Sequence, residues 1–340
     1  MQKRKVAIYI GRFQPLHEAH YANIEYCKNN YDETIVLVGS VNQRQSIKNP
    51  FPFHVIKNWI NKCNKDAIVR PLRDYIYNET KWITQVEGIV NNEFFGEDVE
   101  FTIVGHCKDD SSYYLKEFPN FRIDLVDEKC NGISATSIRE TYFGKDGQIP
   151  ATVPHFVADT MMEFRNTENF RILKDEYFYY ENEKKMFENY PFPETLKFNC
   201  ADAVVVCEGN VLLIQRKVAP GEGVWALPGG FVNRNETYRE CALRELKEET
   251  NIKVPDRVLS MSIKKDKIFD NPKRNLGIPR ISNAFFIEIL PDYKNGYPKL
   301  PKVKGEDDAA AAKWFSLAEV KRMKLFDDHA DIIDYFVNTL

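Results

Sequence analysis

Leu227-Pro228-Gly229-Gly230, then Glu236, then Arg244-Glu245-Leu246-Lys247-Glu248-Glu249-Thr250-Asn251-Ile252 form the stretch from which the fold of this chain is read. Glu245, Glu248 and Glu249 have helical spacing. On a helix this puts their Cβ atoms about 5–6 Å apart on one face, where like charges repel. A face that carries this cost has a cation to hold. Hard carboxylate oxygens suit Mg²⁺, with Mn²⁺ as the alternative, shared with a substrate's phosphates. A solvated acidic helix is the competing reading. It accounts for a Glu-Glu pair, but not for the preceding glycines or the spaced Glu236 and Arg244.

The stretch resembles the Nudix hydrolase signature, Gly-x5-Glu-x7-Arg-Glu-U-x-Glu-Glu-x-Gly-U with U aliphatic. The one departure is Asn251 in place of the second Gly. A left-handed turn is expected after the helix, and Asn is the usual substitute for Gly there. The resemblance implies an α+β Nudix fold. It also implies metal ligands at Glu245, Glu248 and Glu249, with the Gly230 or else the Gly229 carbonyl nearby, and Glu245 and Glu249 catalytic. Asp202 to Val206, Leu212 to Lys217, Trp225 to Val232, Trp314 to Leu317 and Asp328-His329 are similar to ADP-ribose pyrophosphatases within that family. Phe269 to Arg274 resembles their substrate loop, so Arg274 is a candidate phosphate contact; a plain surface arginine is the other reading. Glu306 is either a further ligand or an acidic turn. His329 either caps the last helix or faces the site.

Upstream, strand and helix signals alternate. Val6–Ile10, Glu33–Gly39, Ala67–Pro71 and Val99–Gly105 read as strands; His20–Asn30, Phe53–Lys62 and Thr80–Asn91 read as helices. Short apolar strands between helices predict an α/β domain with a doubly wound parallel sheet. Val157–Arg165 and Glu176–Tyr190 read as helices before Pro191-Phe192-Pro193, the candidate linker. This divides the chain into domains 1–190 and 197–340 joined by 191–196. In the second, Ala203–Cys207 and Val211–Arg216 read as a hairpin, Glu236–Thr250 as the carboxylate helix, and Ala330–Thr339 as a closing helix. Val258–Lys265, Ser282–Leu290 and Ala312–Phe315 read as strands.

Directly after the first strand comes Gly11-Arg12-Phe13-Gln14-Pro15-Leu16-His17-Glu18-Ala19-His20. A Gly-led turn into a helix N-terminus offers free N–H groups to a phosphate. His17 and His20 project the same way from the first helical turn. Far downstream lies Gly132-Ile133-Ser134-Ala135-Thr136-Ser137-Ile138-Arg139. Ser134 or Thr136 would cap a helix and Arg139 would face back to its N-terminus; taken alone, this is equally an ordinary capped helix.

Together the two clusters resemble the nucleotidylyltransferase superfamily, with a Rossmann-like fold. The string Gly-Arg-Phe-Gln-Pro-x-His looks most like archaeal-type nicotinamide mononucleotide (NMN) adenylyltransferases. Ala19 replaces the Gly of their His-x-Gly-His motif, which puts a methyl group near the nucleotide. The resemblance extends to Gly39-Ser40, Arg44, Asn49-Pro50-Phe51, Asp74 and Trp82. It implies catalytic roles for His17, His20 and Arg139, and substrate contacts at Gly11, Arg12, Phe13, Ser40, Arg44, Asp74, Trp82, Ser134 and Thr136. Trp82 would stack on a cationic nicotinamide ring or sit in the core.

At 340 residues, two domains are expected. A formal net charge of −3 supplies no electrostatic reason for nucleic-acid binding, and no apolar run is long enough for a bilayer. The basic N-terminus leads into too short an apolar run for a signal peptide. Seven scattered cysteines without a Cys-x-x-Cys pair suggest neither a zinc site nor a disulfide framework, and a reducing cytoplasm fits them. The expected ligands are ATP, NMN, NAD and ADP-ribose; a homo-oligomer is compatible with the sequence. Two alternatives stand beside this bifunctional reading: the same folds with other phosphorylated substrates, or a second domain that senses ADP-ribose without cleaving it.

Overall fold

A computed structural model describes residues 3–105, 117–126, 133–294 and 297–338. Gly132, Cys107 and Cys130 lie outside the described residues. The chain divides into two compact units, Met1–Tyr177 and Phe178–Leu340.

The first unit contains β1 (Arg4–Gly11), α1 (Glu18–Asn30), β2 (Glu33–Val38), α2 (Phe53–Cys63), β3 (Ile68–Pro71), α3 (Glu79–Glu93), β4 (Val99–Gly105), β5 (Arg122–Leu125), α4 (Ala135–Phe143), α5 (His155–Phe164) and the start of α6 (Glu168–Met186). Its five strands run in the order β3-β2-β1-β4-β5, all parallel. Alternate strand residues serve opposite faces. Ala7, Tyr9, Val36 and Val38 pack with Ile24 of α1 and Trp59 of α2, whereas Val6, Ile8, Ile35 and Leu37 pack with Val86 and Val90 of α3. Burial on both faces explains the unbroken apolar runs. The strand order reverses between β1 and β4, and the crevice beyond their carboxyl ends is where such a sheet binds ligands.

The second unit contains β6 (Phe198–Cys207), β7 (Asn210–Arg216), β8 (Trp225–Ala226), β9 (Gly229–Phe231), α7 (Tyr238–Thr250), α8 (Asp256–Met261), β10 (Ile263–Phe269), β11 (Arg280–Glu288), β12 (Asp292–Lys294), β13 (Tyr297–Lys299), β14 (Ala309–Ser316), α9 (Leu317–Val320) and α10 (His329–Asn338). The mixed sheet runs β10-β11-β6-β7-β14, with β9 beside β6 and β8 beside β7. Ala201, Ala203 and Val205 pack under Cys241, Ala242 and Leu246 of α7; Val204 and Val206 pack under Ile332, Ile333 and Phe336 of α10.

Three sequence expectations shift. Val258–Lys265 is not one strand: Pro255 opens the short helix α8, and the strand starts only at Ile263. Helix α6 starts at Glu168, eight residues before its expected start at Glu176. The division between units falls within α6, upstream of Pro191, and α6 itself ends at Met186, before that proline. Among the described residues, no helix is long and apolar enough to cross a membrane.

Candidate active sites

In the first unit, Phe13 adopts a left-handed φ of 54°. This turns its buried ring inward, edge-on to Tyr9 at 5.5 Å and to His20 at 4.9 Å. His17 is the N-cap residue of α1, and its backbone N–H donates to Nδ1 of His20 at 3.4 Å. The two imidazoles stack with centroids 3.7 Å apart, so both predicted histidines stand together at the helix N-terminus.

Arg139 connects this loop to the distant cluster. Its Nη1 donates to the Gln14 carbonyl at 2.6 Å and its Nη2 to Thr136 Oγ1 at 3.1 Å. Ser134 caps α4, accepting from the Thr136 backbone N–H at 3.2 Å. Burial, then repulsion from Arg12, pushes the Arg139 guanidinium down to about 10. Arg12 is lowered as well, by burial, with Asp74 opposing. Two guanidiniums that repel each other thus stand here.

Asp74 accepts from Ser40 Oγ at 2.6 Å and from the Ser40 N–H at 3.3 Å, so these two predicted residues form one element. Arg44 has a different surrounding. It is buried and donates to Glu176 at 2.7 Å, a contact that fixes its loop. Trp82 is half-buried and tilted against Phe118 at 6.0 Å; it borders the core cluster of its sheet face. Two residues outside the predicted set matter. The Gln14 side chain donates to the Phe51 carbonyl at 2.8 Å and accepts from its N–H at 2.9 Å, binding the two loops. Glu176 is wholly buried on α6 and has no local sequence signal, because its partner is 132 residues away.

In the second unit, Thr237 and Glu240 form a capping box at the start of α7. The T-x-x-E pattern signals this start, which the expectation of a helix from Glu236 overlooks. Asn251 ends the helix at φ 42° and ψ 36°, its N–H donating to the Lys247 carbonyl at 2.9 Å. Its side chain donates to Glu306 at 2.7 Å, and the Glu306 N–H donates to the Glu249 carbonyl at 3.1 Å. Glu306 thus fastens the helix end.

The carboxylates gather around Arg244, which reaches Glu236 at 2.6 Å, Glu245 at 2.7 Å and Glu248 at 2.9 Å. Its hydrogen bond holds the Glu236 carboxyl down to about 2. Glu249 is buried and accepts from the Gly229 N–H at 2.9 Å. A Cβ on Gly229 would lie 2.5 Å from the Ala201 carbonyl and against Asp202, and one on Gly230 would meet the Glu245 carboxylate. Only glycine permits this approach. Asp202 accepts from Ser282 Oγ. Arg274 is buried and donates to both carboxylate oxygens of Asp328, at 2.9 and 2.8 Å. His329 Nδ1 accepts from the Leu227 N–H at 2.8 Å, so it faces the turn before the glycines.

Among the described residues, no group of three or more His, Cys, Asp or Glu is already gathered into a metal cage; Arg244 and the Gly229 N–H hold the carboxylates. The donor set nevertheless fits a hard divalent cation. Burial, then the charges of Glu245 and Asp202, pushes the Glu249 carboxyl up to about 8. Glu245 is raised too, by burial and by Glu248. Carboxylates in that state are stabilised by added positive charge.

Residues 8–141 match the Cytidylyltransferase-like family and residues 197–336 match the NUDIX domain. These define a nucleotidyltransferase joined to a Nudix hydrolase. A nicotinamide/nicotinic acid mononucleotide adenylyltransferase of Acinetobacter baylyi is 31% identical over 52% of this chain and 95% of its own length. An ADP-ribose pyrophosphatase of Methanocaldococcus jannaschii is 35% identical over 39% of this chain and 70% of its own. The crystal structure of a bifunctional NMN adenylyltransferase/ADP-ribose pyrophosphatase from Francisella tularensis, complexed with AMP and a Mn ion, superposes with a TM-score of 0.89 at 30% identity over 99% of both chains. The chain belongs to the family of bifunctional NMN adenylyltransferase/ADP-ribose pyrophosphatases.

Proposed function

We propose that the first unit joins NMN and ATP into NAD and pyrophosphate, and that the second hydrolyses ADP-ribose to AMP and ribose 5-phosphate with Mg²⁺ or, alternatively, Mn²⁺. The observation that supports this most is that each unit assembles its own signature: Arg139 meets the Gln14 loop in one, and Glu249 meets Gly229 in the other.

In the first reaction an oxygen of the NMN phosphate attacks the α-phosphorus of ATP, and pyrophosphate leaves. A phosphate with a second pKa near about 6 needs no strong base. It needs alignment and neutralisation of the triphosphate. His17, His20, Arg12 and Arg139 supply donors and charge for this, at the α1 N-terminus and the capped start of α4. Ser134 and Thr136 orient Arg139, while Gly11 and Phe13 shape the turn. Ser40 and Asp74 form a polar wall, and Trp82 offers an aromatic face to the nicotinamide. Arg44 acts through its loop.

In the second reaction water adds to one phosphorus of the diphosphate and the bridging oxygen leaves with the other phosphate. Glu245, Glu248, Glu249 and the Gly230 carbonyl would hold the metal. When bound, the ion neutralises the diphosphate and lowers the pKa of a coordinated water. Arg244 orients Glu245 and Glu248. Glu249, its carboxyl raised by burial, is suited to hold a proton near neutral pH. The buried Arg274 acts through Asp328, not on a phosphate. Free cysteines on both units accord with a reducing cytoplasm.

Purified protein incubated with NMN plus ATP, ADP-ribose, NAD and other nucleoside diphosphates, with Mg²⁺, Mn²⁺ or chelator, tests both halves. NAD and pyrophosphate from the first mixture, and metal-dependent AMP from ADP-ribose, are expected. No NAD overturns the first assignment; intact ADP-ribose overturns the second.

A further inference from the structure

Helix α10 and the Leu227-Pro228 connection leading into Gly229 and Gly230 of β9 meet at the His329 side chain. The Leu227 N–H, buried beneath α10, donates to Nδ1 of His329 at 2.8 Å. A buried backbone N–H without an acceptor is costly, so the orientation of this imidazole and the path of the connection are linked. Two residues on, the Gly229 N–H donates to Glu249 at 2.9 Å. Between them the Pro228 carbonyl accepts from the Ala203 N–H at 2.8 Å. The segment is thus pinned in succession by α10, β6 and α7. Neither glycine leaves room for a Cβ: one on Gly229 would meet Ala201 and Asp202, and one on Gly230 would meet Glu245.

His329 is itself held in place. It is the first residue of α10, and its N–H donates to the Phe326 carbonyl at 3.0 Å. The preceding Asp328 is 1% exposed and receives both prongs of the Arg274 fork. For Nδ1 to accept, the ring must be neutral with its proton on Nε2.

We infer that His329, held by its contacts to Leu227 and Phe326, is a positioning residue for the diphosphate-cleaving site. It sets the Leu227–Gly230 segment, and through it the Gly230 carbonyl and the carboxylate of Glu249. The inference rests on the reading of this unit as a metal-dependent hydrolase. It predicts that the geometry of the acceptor, not the size of the side chain, decides function. Asn places an oxygen where Nδ1 lies; Gln places one nearer Nε2.

The test compares full-length wild type, His329→Asn, His329→Gln and His329→Ala. Exchange of the Leu227 amide is read on ¹⁵N-leucine-labelled protein, Mn²⁺ affinity from the free-ion resonance, and ADP-ribose hydrolysis as kcat and KM separately. NAD formation serves as the folding control. His329→Asn is expected to keep Leu227 protected, with Mn²⁺ affinity and kcat within about threefold of wild type. His329→Gln and His329→Ala are expected to lose that protection and to lower both affinity and kcat by about 10–100-fold, the usual effect of removing an outer-shell partner, with KM little changed. If His329→Ala does not fold, the contrast of Asn with Gln decides. Equal Leu227 protection in those two variants, or wild-type Mn²⁺ affinity in His329→Gln, overturns the inference. If the variants separate as expected in exchange and Mn²⁺ binding while no protein cleaves ADP-ribose, the positioning role stands and the substrate assignment falls.

Discussion

Arg139 and Gln14 are 125 residues apart in the chain and joined by a 2.6 Å hydrogen bond from guanidinium to main-chain carbonyl. The bond places the positive charge of α4 beside the loop that starts α1. Arg139→Ala is therefore expected to lower NAD formation by about 10²–10³, the usual cost of one transition-state donor, while ADP-ribose hydrolysis stays within twofold. Arg139→Lys recovers little, because a lysine has no planar fork to span Gln14 and Thr136. His20→Ala is expected to have an effect of the same size. Initial rates of NAD synthesis decide; a near wild-type Arg139→Lys or His20→Ala enzyme would contradict the assignment.

Arg44 and Glu176 form an ion pair whose side chains are 7% and 0% exposed. Glu176→Ala leaves a guanidinium buried without its counter-charge and is expected to cost about 3–5 kcal/mol, whereas replacing both by apolar residues of similar volume should cost far less. Denaturant titration of the single and double variants checks this. A loss below about 1 kcal/mol in the single variant would show that water reaches the pair, contrary to its burial.

The Glu249 carboxyl, raised to about 8 by burial, predicts a pH dependence. Its unfolded value lies near 4.5. Between these values the folded chain binds the extra proton, so stability is greatest below the lower value and falls as pH rises through the upper one. In chelator, wild-type Tm is expected to fall relative to Glu249→Gln between pH 5 and about 8. Added Mg²⁺ should reverse the difference at the alkaline end, since the ion replaces the proton. Parallel Tm profiles would refute the assignment. The same variant is expected to lose most ADP-ribose hydrolysis.

Asn251 sits at φ 42°. A β-branched residue strongly resists this region, and the left-handed conformation costs roughly 1–2 kcal/mol for residues other than Gly or Asn. Asn251→Val should therefore destabilise the unit and weaken Mn²⁺ binding, while Asn251→Gly should do so much less, relieving φ but deleting the bond to Glu306. Thermal melts with and without Mn²⁺ separate the two. Equal destabilisation would mean that the amide, not the backbone angle, matters there.

Much of this was legible because it is local. The apolar run Val6–Ile10 lies within β1, since a strand buried on both faces is written as consecutive apolar residues; Val99–Gly105 coincides with β4, whose buried part is its Thr102–Gly105 end. The carboxylate spacing of Glu245, Glu248 and Glu249 likewise marks α7 without any tertiary information. What escaped was decided at a distance. Nothing around Glu176 says that it neutralises Arg44, and nothing around Arg274 says that Asp328 occupies it. The start of α1 at Glu18, not His20, depends on an imidazole acting as cap, a role sequence propensities assign to Ser, Thr, Asp or Asn. Val258 reads as strand because β-branched residues favour sheets, yet Pro255 starts a helix there.

Arg244 touches Glu236, Glu245 and Glu248 at once. On the proposed reading, a divalent ion that loads on this helix would exchange partners with the guanidinium, taking over charge that Arg244 already balances. The arginine would then set a threshold for occupancy, against which a weakly charged ion such as Na⁺ has little with which to compete.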